Sequence, residues 1–407
     1  MNLIGARNGH FDDNGSRFKI AGANNYYAAF ATHAMRTAVI DSAKRIGLNA
    51  LRVPAFLDGE SWRGAYFQSW NPATHRPEVN IGENGLQRLD HLIADAEQAG
   101  IRLILPLVNH WPDFGGMDRY AAWFNAASRD AFYTDAGIRG AYQSYVSQIL
   151  TRKNTITGRV YQDEPAILAW ELANEPRCDA REGGAILLEW VRGMSRWIKQ
   201  NDPHHLLGVG DEGFFGKHGV DCHAFINVPD IDFGTFHLYP QAWKQRDPLS
   251  FGLRWIEQHL AAGRSAGKPM LLEEYGMSVG GRRGLSSASE RDDIYRAWLR
   301  SVLEQDGAGD LAWMIASTDD ETGERYPDYD RFTFYGDADV PSICAHALEM
   351  TFHAAVPNSA PTPAVTAIAK APQNVTRIAP AAMPAPPTRA AIPPKSARKN
   401  SDVPDTR

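Results

Sequence analysis

The chain has 407 residues, 43% of them hydrophobic and 10% aromatic, enough to bury a large core. Its 42 basic and 48 acidic residues leave a formal charge of −6, which argues against a nucleic-acid or membrane-surface partner. Cys178, Cys222 and Cys344 stand in no CxxC spacing, so neither a zinc site nor a disulfide framework is expected, and free thiols are favoured.

The N-terminus, "MNLIGARNGHFDDNG", has no apolar stretch of the signal-peptide kind, and no run approaches the roughly 18 apolar residues of a membrane helix. As written, the expectation is a cytoplasmic protein. Short β-branched or apolar runs then alternate with longer amphipathic stretches, the rhythm of βα units. They predict strands at 18–25, 50–56, 102–109, 166–174, 206–211, 231–239, 269–275 and 311–316. Helices are predicted at 34–47, 85–99, 130–152, 184–201, 252–264, 289–305 and 341–353. In 85–99, Leu86, Leu89, Leu92, Ile93 and Ala96 make one apolar face and Gly100 ends it.

Eight strands with intervening helices predict an α/β fold, a (β/α)8 TIM barrel forming a single catalytic domain over residues 1–355. A doubly wound open sheet is the alternative, weakened by the lack of a GxGxxG after the first strand. Residues 356–407 hold 11 Pro, 12 Ala, seven basic and two acidic residues, and no aromatic. That composition cannot bury enough apolar surface to offset ordering, so the segment reads as a disordered Pro/Ala-rich tail.

A barrel of this type places its chemistry at the C-terminal ends of the strands. The second strand carries Arg52, and "VNHWPDFGG" follows the third with His110 and Trp111. Asn174-Glu175, Asp211-Glu212, His237 with Tyr239, Glu273-Glu274 and Trp313 follow on the remaining five. Glycosidic cleavage needs two carboxyl groups flanking one bond, and Glu175 and Glu274 top strands on opposite sides of a closed barrel. Around them, Asn174 is placed to bond a sugar 2-hydroxyl and Arg52 to keep Glu274 ionised. Tyr239 is placed to hydrogen-bond Glu274, and Trp313 to stack under a sugar ring.

Two nearby acids compete. On a straight strand Glu171 lies about 13 Å below Glu175, which assigns it to the barrel floor. Glu273 and Glu274 are strand neighbours and so face opposite ways; the residues alone do not say which one faces the site. A metal site from His110, Asp113 and His237 is disfavoured, because no HxH or HExxH spacing supports it.

"WELANEP" with "LLEEYG" downstream resembles the signature of glycoside hydrolase family 5, and within it the endo-β-1,4-mannanases. The resemblance runs over about residues 10–353 and includes "FDDNGSRFKIAGANNYY", "GLNALRVPAF", "GDEGFF" and "GTFHLYP". It implies a retaining endo-glycosidase acting on internal β-1,4-mannosidic bonds of mannan, glucomannan or galactomannan. Glu175 would be the acid/base and Glu274 the nucleophile, with Glu273 left out. Substrate contacts carried over are Arg52, Trp111, Asn174, Arg177, Glu212, His237, Tyr239 and Trp313, with no metal and no cofactor. Where the family usually reads Asn-Asn-Trp, this chain has Asn109-His110-Trp111, a departure that bears on a subsite. The partner implied is a β-mannan polysaccharide or manno-oligosaccharide, met by a monomer, and the resembling family is mostly secreted. A cellulase-like β-glycanase, an exo-β-mannosidase and a non-enzymatic carbohydrate-binding protein are the alternatives.

Overall fold

The computed structural model describes residues 1–59, 61–281, 284–336 and 339–354; the tail expected at 356–407 lies outside them. The barrel strands are β1 (Ile20–Asn24), β2 (Ala50–Arg52), β3 (Arg102–Pro106), β4 (Ile167–Glu171), β5 (Leu206–Gly208), β6 (Gly234–Leu238), β7 (Met270–Tyr275) and β8 (Gly309–Ala312). All their pairings are parallel, in the order 5-4-3-2-1-8-7-6. This is the expected eight-stranded barrel, closed except for a strand ladder between β5 and β6. There the Asp232 N–H donates to the Leu207 carbonyl at 2.8 Å, and Leu207 N–H donates to the Asp232 carboxylate at 2.8 Å.

Every strand residue is buried. Helices cover one face and barrel contents the other, which is why these runs read as continuously apolar instead of alternating. The covering helices are α1 (His33–Arg45), α2 (Leu86–Ala99), α3 (Gly116–Trp123), α4 (Ala131–Thr134), α5 (Ala136–Leu150), α6 (Gly183–Asn201), α7 (Cys222–Ile226), α8 (Pro248–Ala266), α9 (Ala288–Glu304) and α10 (Pro341–Ala354). Short polar side chains start several of them. Thr32 accepts from Met35 N–H and Ser287 from Glu290 N–H, taking up N–H groups that lack helical partners. The single helix expected at 130–152 is two, because Asp135 is extended and caps α5 through Ile138 N–H.

The N-terminal ends of the strands are plugged. A three-stranded antiparallel sheet (Gly5–Arg7, His10–Asp13, Ser16–Phe18) sends Ile4 and Phe11 into a cluster with Ile20, Ala50, Leu206, Phe233 and Leu271. Burying each such side chain is worth about 1.5–3 kcal/mol. This floor leaves the opposite end as the open one. All three cysteines are free thiols, and no helix among the described residues is long and apolar enough to cross a membrane.

Candidate active site

β4 stops at Glu171, earlier than expected, but the chain keeps bonding to its neighbours. Leu172 N–H donates to Gly208 O at 3.1 Å, Asn174 N–H to Val108 O at 2.7 Å and Glu175 N–H to Gly210 O at 2.7 Å. Gly210 has φ +81°, and a Cβ there would lie 2.1 Å from the Ala173 carbonyl oxygen, so only glycine permits this approach. Glu175 itself sits at φ 49°, an uncommon conformation for a residue with a Cβ. That turn brings its carboxylate over the barrel mouth. One oxygen meets His237 Nδ1 at 2.7 Å, the other accepts from the Trp111 indole N–H, and only 3% of the residue is exposed.

β7 is irregular at the level of the site. Phe236 pairs with Leu272, but the next residue, His237, pairs with Glu274. On the other edge Leu272 pairs with Asp310 and Tyr275 with Ala312. Glu273 is therefore the extra residue of a β-bulge, and alternation fails there: both glutamates turn into the site. Glu274 accepts from Arg52 Nη1 at 2.8 Å and from the Tyr239 hydroxyl at 2.6 Å. Glu273 Oε2 lies 3.2 Å from His237 Nε2 and 3.4 Å from Arg52 Nη2. The expectation that one neighbour must face away is corrected by the bulge.

Arg52, at the end of β2, joins these groups. Its Nε donates to Glu171 at 2.9 Å and its Nη2 to the Asn174 side-chain oxygen at 2.9 Å. Asn174 in turn donates to Asn109 at 2.9 Å. Glu171 thus lies directly beneath the site, sharing Arg52 with Glu274, and is not on the barrel floor. The straight-strand extrapolation overshot because the strand ends at Glu171 and the chain turns before Glu175. Burial opposes the charge on Arg52, but Glu171, Glu273 and Glu274 outweigh it and raise its pKa. His237 behaves likewise: burial works against charge, while Glu274, Glu175 and Glu273 hold its pKa well above the usual value. A carboxyl group faces each ring nitrogen, which favours the protonated ring. Asn24, at the end of β1, also belongs here. It donates to the Glu273 carbonyl at 2.9 Å and accepts from Arg52 at 3.3 Å. The strand-end rule that found the other residues finds it too, once applied to the first strand.

On the far side of Glu175, Arg177 forms a two-pronged pair with Glu212 at 2.6 and 2.7 Å and lies 4.8 Å over the Trp111 ring. Both Glu212 oxygens are taken by Arg177, so Glu212 acts on the site through it. Burial and the Glu175 charge push the Glu212 carboxyl up to about 7 against the pull of Arg177. His110 contacts Arg129 at 2.8 Å and Arg177 N–H at 3.4 Å. Burial and the two arginine charges keep it well below the usual histidine value, hence neutral.

Trp313 is half-buried and donates its indole N–H to Asp330 at 2.7 Å. Tyr26 lies 6.4 Å away, tilted by 30°. Neither Asp330 nor Tyr26 carries a sequence signal. Away from the acids, Trp62 stacks on Tyr27, and Trp70, in the short strand Gln68–Asn71, on Trp123 of α3.

Among the described residues, the acids and histidine close enough to hold a cation are Glu175, His237 and Glu274, whose ligand atoms lie within 4.8 Å of one another; the set does not include His110 or Asp113. All four carboxylate oxygens in that group already face protein donors. Each of these oxygens would have to give up a protein partner to take a metal.

A family model described as GH family 5 beta-mannosidase-like matches residues 1–317. Mannan endo-1,4-β-mannosidase A of Podospora anserina is 37% identical over 346 residues, 79% of this chain and 85% of that protein. Mannan endo-1,4-β-mannosidase F of Aspergillus fumigatus is 35% identical over 327 residues, 76% of this chain and 69% of that protein. Among solved structures, the endo-1,4-β-mannanase of Rhizomucor miehei aligns with a TM-score of 0.79 at 32% identity, covering 86% of this chain and 99% of that one. The endo-β-1,4-mannanase of Thermotoga petrophila aligns with a TM-score of 0.75 at 37% identity, covering 83% and 78%.

Proposed function

The chain belongs to glycoside hydrolase family 5, in its β-mannosidase-like group, and on that premise we propose that it cleaves internal β-1,4-mannosidic bonds of mannan, glucomannan or galactomannan with retention of configuration. The observation that carries this reading is the closeness of the two acids: oxygens of Glu175 and Glu274 lie within 4.8 Å, across His237. Retaining glycosidases hold their carboxyl groups about 5–5.5 Å apart, while inverting ones leave about 6.5–9.5 Å for a water.

The surroundings support different roles. Glu274 is fixed on both oxygens by Arg52 and Tyr239, which holds it in place as the nucleophile, while Glu175 is held by His237 and Trp111. Its carboxylate attacks the anomeric carbon while Glu175 passes its proton to the glycosidic oxygen and the C–O bond breaks. In the second step Glu175 takes a proton from water. The water oxygen attacks the same carbon, and Glu274 leaves as a carboxylate. Trp313 offers a ring face to the sugar, and Asn174, fixed by Arg52 and Asn109, is placed for a hydroxyl.

The test is hydrolysis of mannan beside carboxymethylcellulose and xylan, with product mapping from mannohexaose. Cleavage of mannan alone, at internal bonds and with a β-anomer formed first, is expected. Release of mannose only, or an α-anomer first, would sink the endo or the retaining part respectively.

A further inference from the structure

Beneath the proposed reacting pair lies a second pair of acids that the reaction does not use. Glu171 on β4 and Glu273 in the β7 bulge are both fully buried. One oxygen of each is satisfied: Glu171 Oε2 by Arg52 at 2.9 Å, and Glu273 Oε2 by His237 at 3.2 Å and Arg52 at 3.4 Å. The other two oxygens, Glu171 Oε1 and Glu273 Oε1, meet no donor. Both carboxyl groups also close on adjacent nitrogens of one guanidinium, Glu171 on Arg52 Nε and Glu273 on Arg52 Nη2, which makes them neighbours. Two neighbouring anions in a dry interior repel, whereas one proton shared between them removes one of the charges.

We propose that Glu171 and Glu273 share a single proton, carried on Glu171 and donated to Glu273. Glu171 is then a neutral positioning residue for Arg52, and Glu273 is the anion that holds His237. The inference rests on reading Glu175 and Glu274 as the reacting pair.

The proton belongs on Glu171 because Glu273 has two cationic donors and Glu171 has one. Burial and the Glu273 charge drive the Glu171 carboxyl well up, against Arg52. Burial pushes Glu273 up as well, but Arg52, the hydrogen bond from Glu171 and His237 together bring it below the usual value. The charged and titratable groups around the pair are Arg52 from β2, His237 from β6, Glu274 from β7, Glu175 beyond β4, and Asp211 with Glu212 beyond β5. With the proton in place, Arg52 and His237 are matched by Glu273 and Glu274, and Glu175 is left to alternate between acid and base. With Glu171 ionised as well, a third buried anion would compete with Glu274 for Arg52.

The test is an isostere. In Glu171→Gln the amide oxygen can take the Arg52 bond and the NH2 can make the donation to Glu273. Glu171→Ala, which lets Arg52 shift, is expected to lower kcat/KM by about 10²-fold, and Glu171→Gln to restore it with both limbs of the pH profile in place. Were Glu171 ionised, Glu171→Gln would remove a negative charge, and both limbs would move to lower pH; that result overturns the proposal. Infrared spectra give a readout free of activity, taken well above pH 7, where Asp211 and Glu212, each pushed up to about 7, have ionised. Wild-type protein is expected to keep a carboxylic-acid C=O band that Glu171→Gln lacks, and a wild-type spectrum without one overturns the shared proton even if the variant does not fold. Absence of mannan cleavage by wild-type protein would overturn the functional reading while the infrared result still decides the pair.

Discussion

The Tyr239 hydroxyl, 2.6 Å from Glu274, shows how single atoms set the site's working range. A hydrogen bond to a charged acceptor is worth about 1.5–3 kcal/mol, or roughly 10–100-fold in rate if it acts on the nucleophile. Tyr239→Phe removes that donor, and kcat/KM on manno-oligosaccharides is expected to fall by that factor while the fold is kept. Steady-state kinetics beside a thermal melt checks this; unchanged kcat/KM would mean that the hydroxyl does not act on the reacting carboxylate. Much of this residue-level picture was legible in the chain. Arg52, Asn174, Glu175, His237, Tyr239 and Glu274 all sit at or just past strand ends, where side chains point to the open mouth of a barrel. Glu171 was misplaced because its depth was inferred from a straight strand, and the turn at Glu175, φ 49°, leaves no mark in "LANEP".

At the scale of elements, the bulge in β7 matters most. The extra residue at Glu273 brings two adjacent carboxylates to one side, so proximity alone does not identify the nucleophile. Chemistry does: azide can replace a nucleophilic carboxylate but not a positioning one. Glu274→Ala is expected to abolish turnover and to regain some with added azide, yielding an α-glycosyl azide. Glu273→Ala should also lose activity, through His237 and Arg52, with no azide rescue. Rescue of the Glu273 variant in place of the Glu274 variant would reverse the assignment. Nothing in "LLEEYG" announced the bulge, because the two-residue period of a strand assumes an unbroken ladder. The strands themselves were legible from their apolar runs, but their ends were overrun. Residues 53–56 and 172–174 stay buried and partly bonded past the last ladder residue, so composition does not change where pairing stops. Helix α3 was missed because Gly115-Gly116 at its start reads as a loop.

For the molecule as a whole, the weak point of the barrel is the seam between β5 and β6, where no strand ladder forms. Three isolated rungs replace it, two of them using side chains. At the lower end Asp232 exchanges two bonds with Leu207 and also binds Lys199 of α6 at 2.8 Å. Higher up, Asp211 N–H donates to the Thr235 hydroxyl at 3.0 Å. At the mouth, His237 N–H donates to the Glu212 carbonyl at 3.2 Å. The seam therefore runs from the packed floor to His237 of the site, and it sets the distance between the His237 side and the Arg177–Glu212 side. Apolar pattern could place β5 and β6 as neighbours but could not show that a carboxylate stitches them. Asp232→Ala leaves the buried Leu207 N–H without its acceptor, at a cost of about 1–3 kcal/mol. It should lower the denaturant midpoint and speed amide exchange at Leu207, while exchange on β3 and β4, across the barrel, stays slow. The Thr235 and His237 rungs remain in that variant, so mannan turnover below its unfolding range should be largely kept. If stability and exchange at Leu207 are both unchanged, the packing of α6 and α7 holds this end of the seam and the Asp232 carboxylate does not.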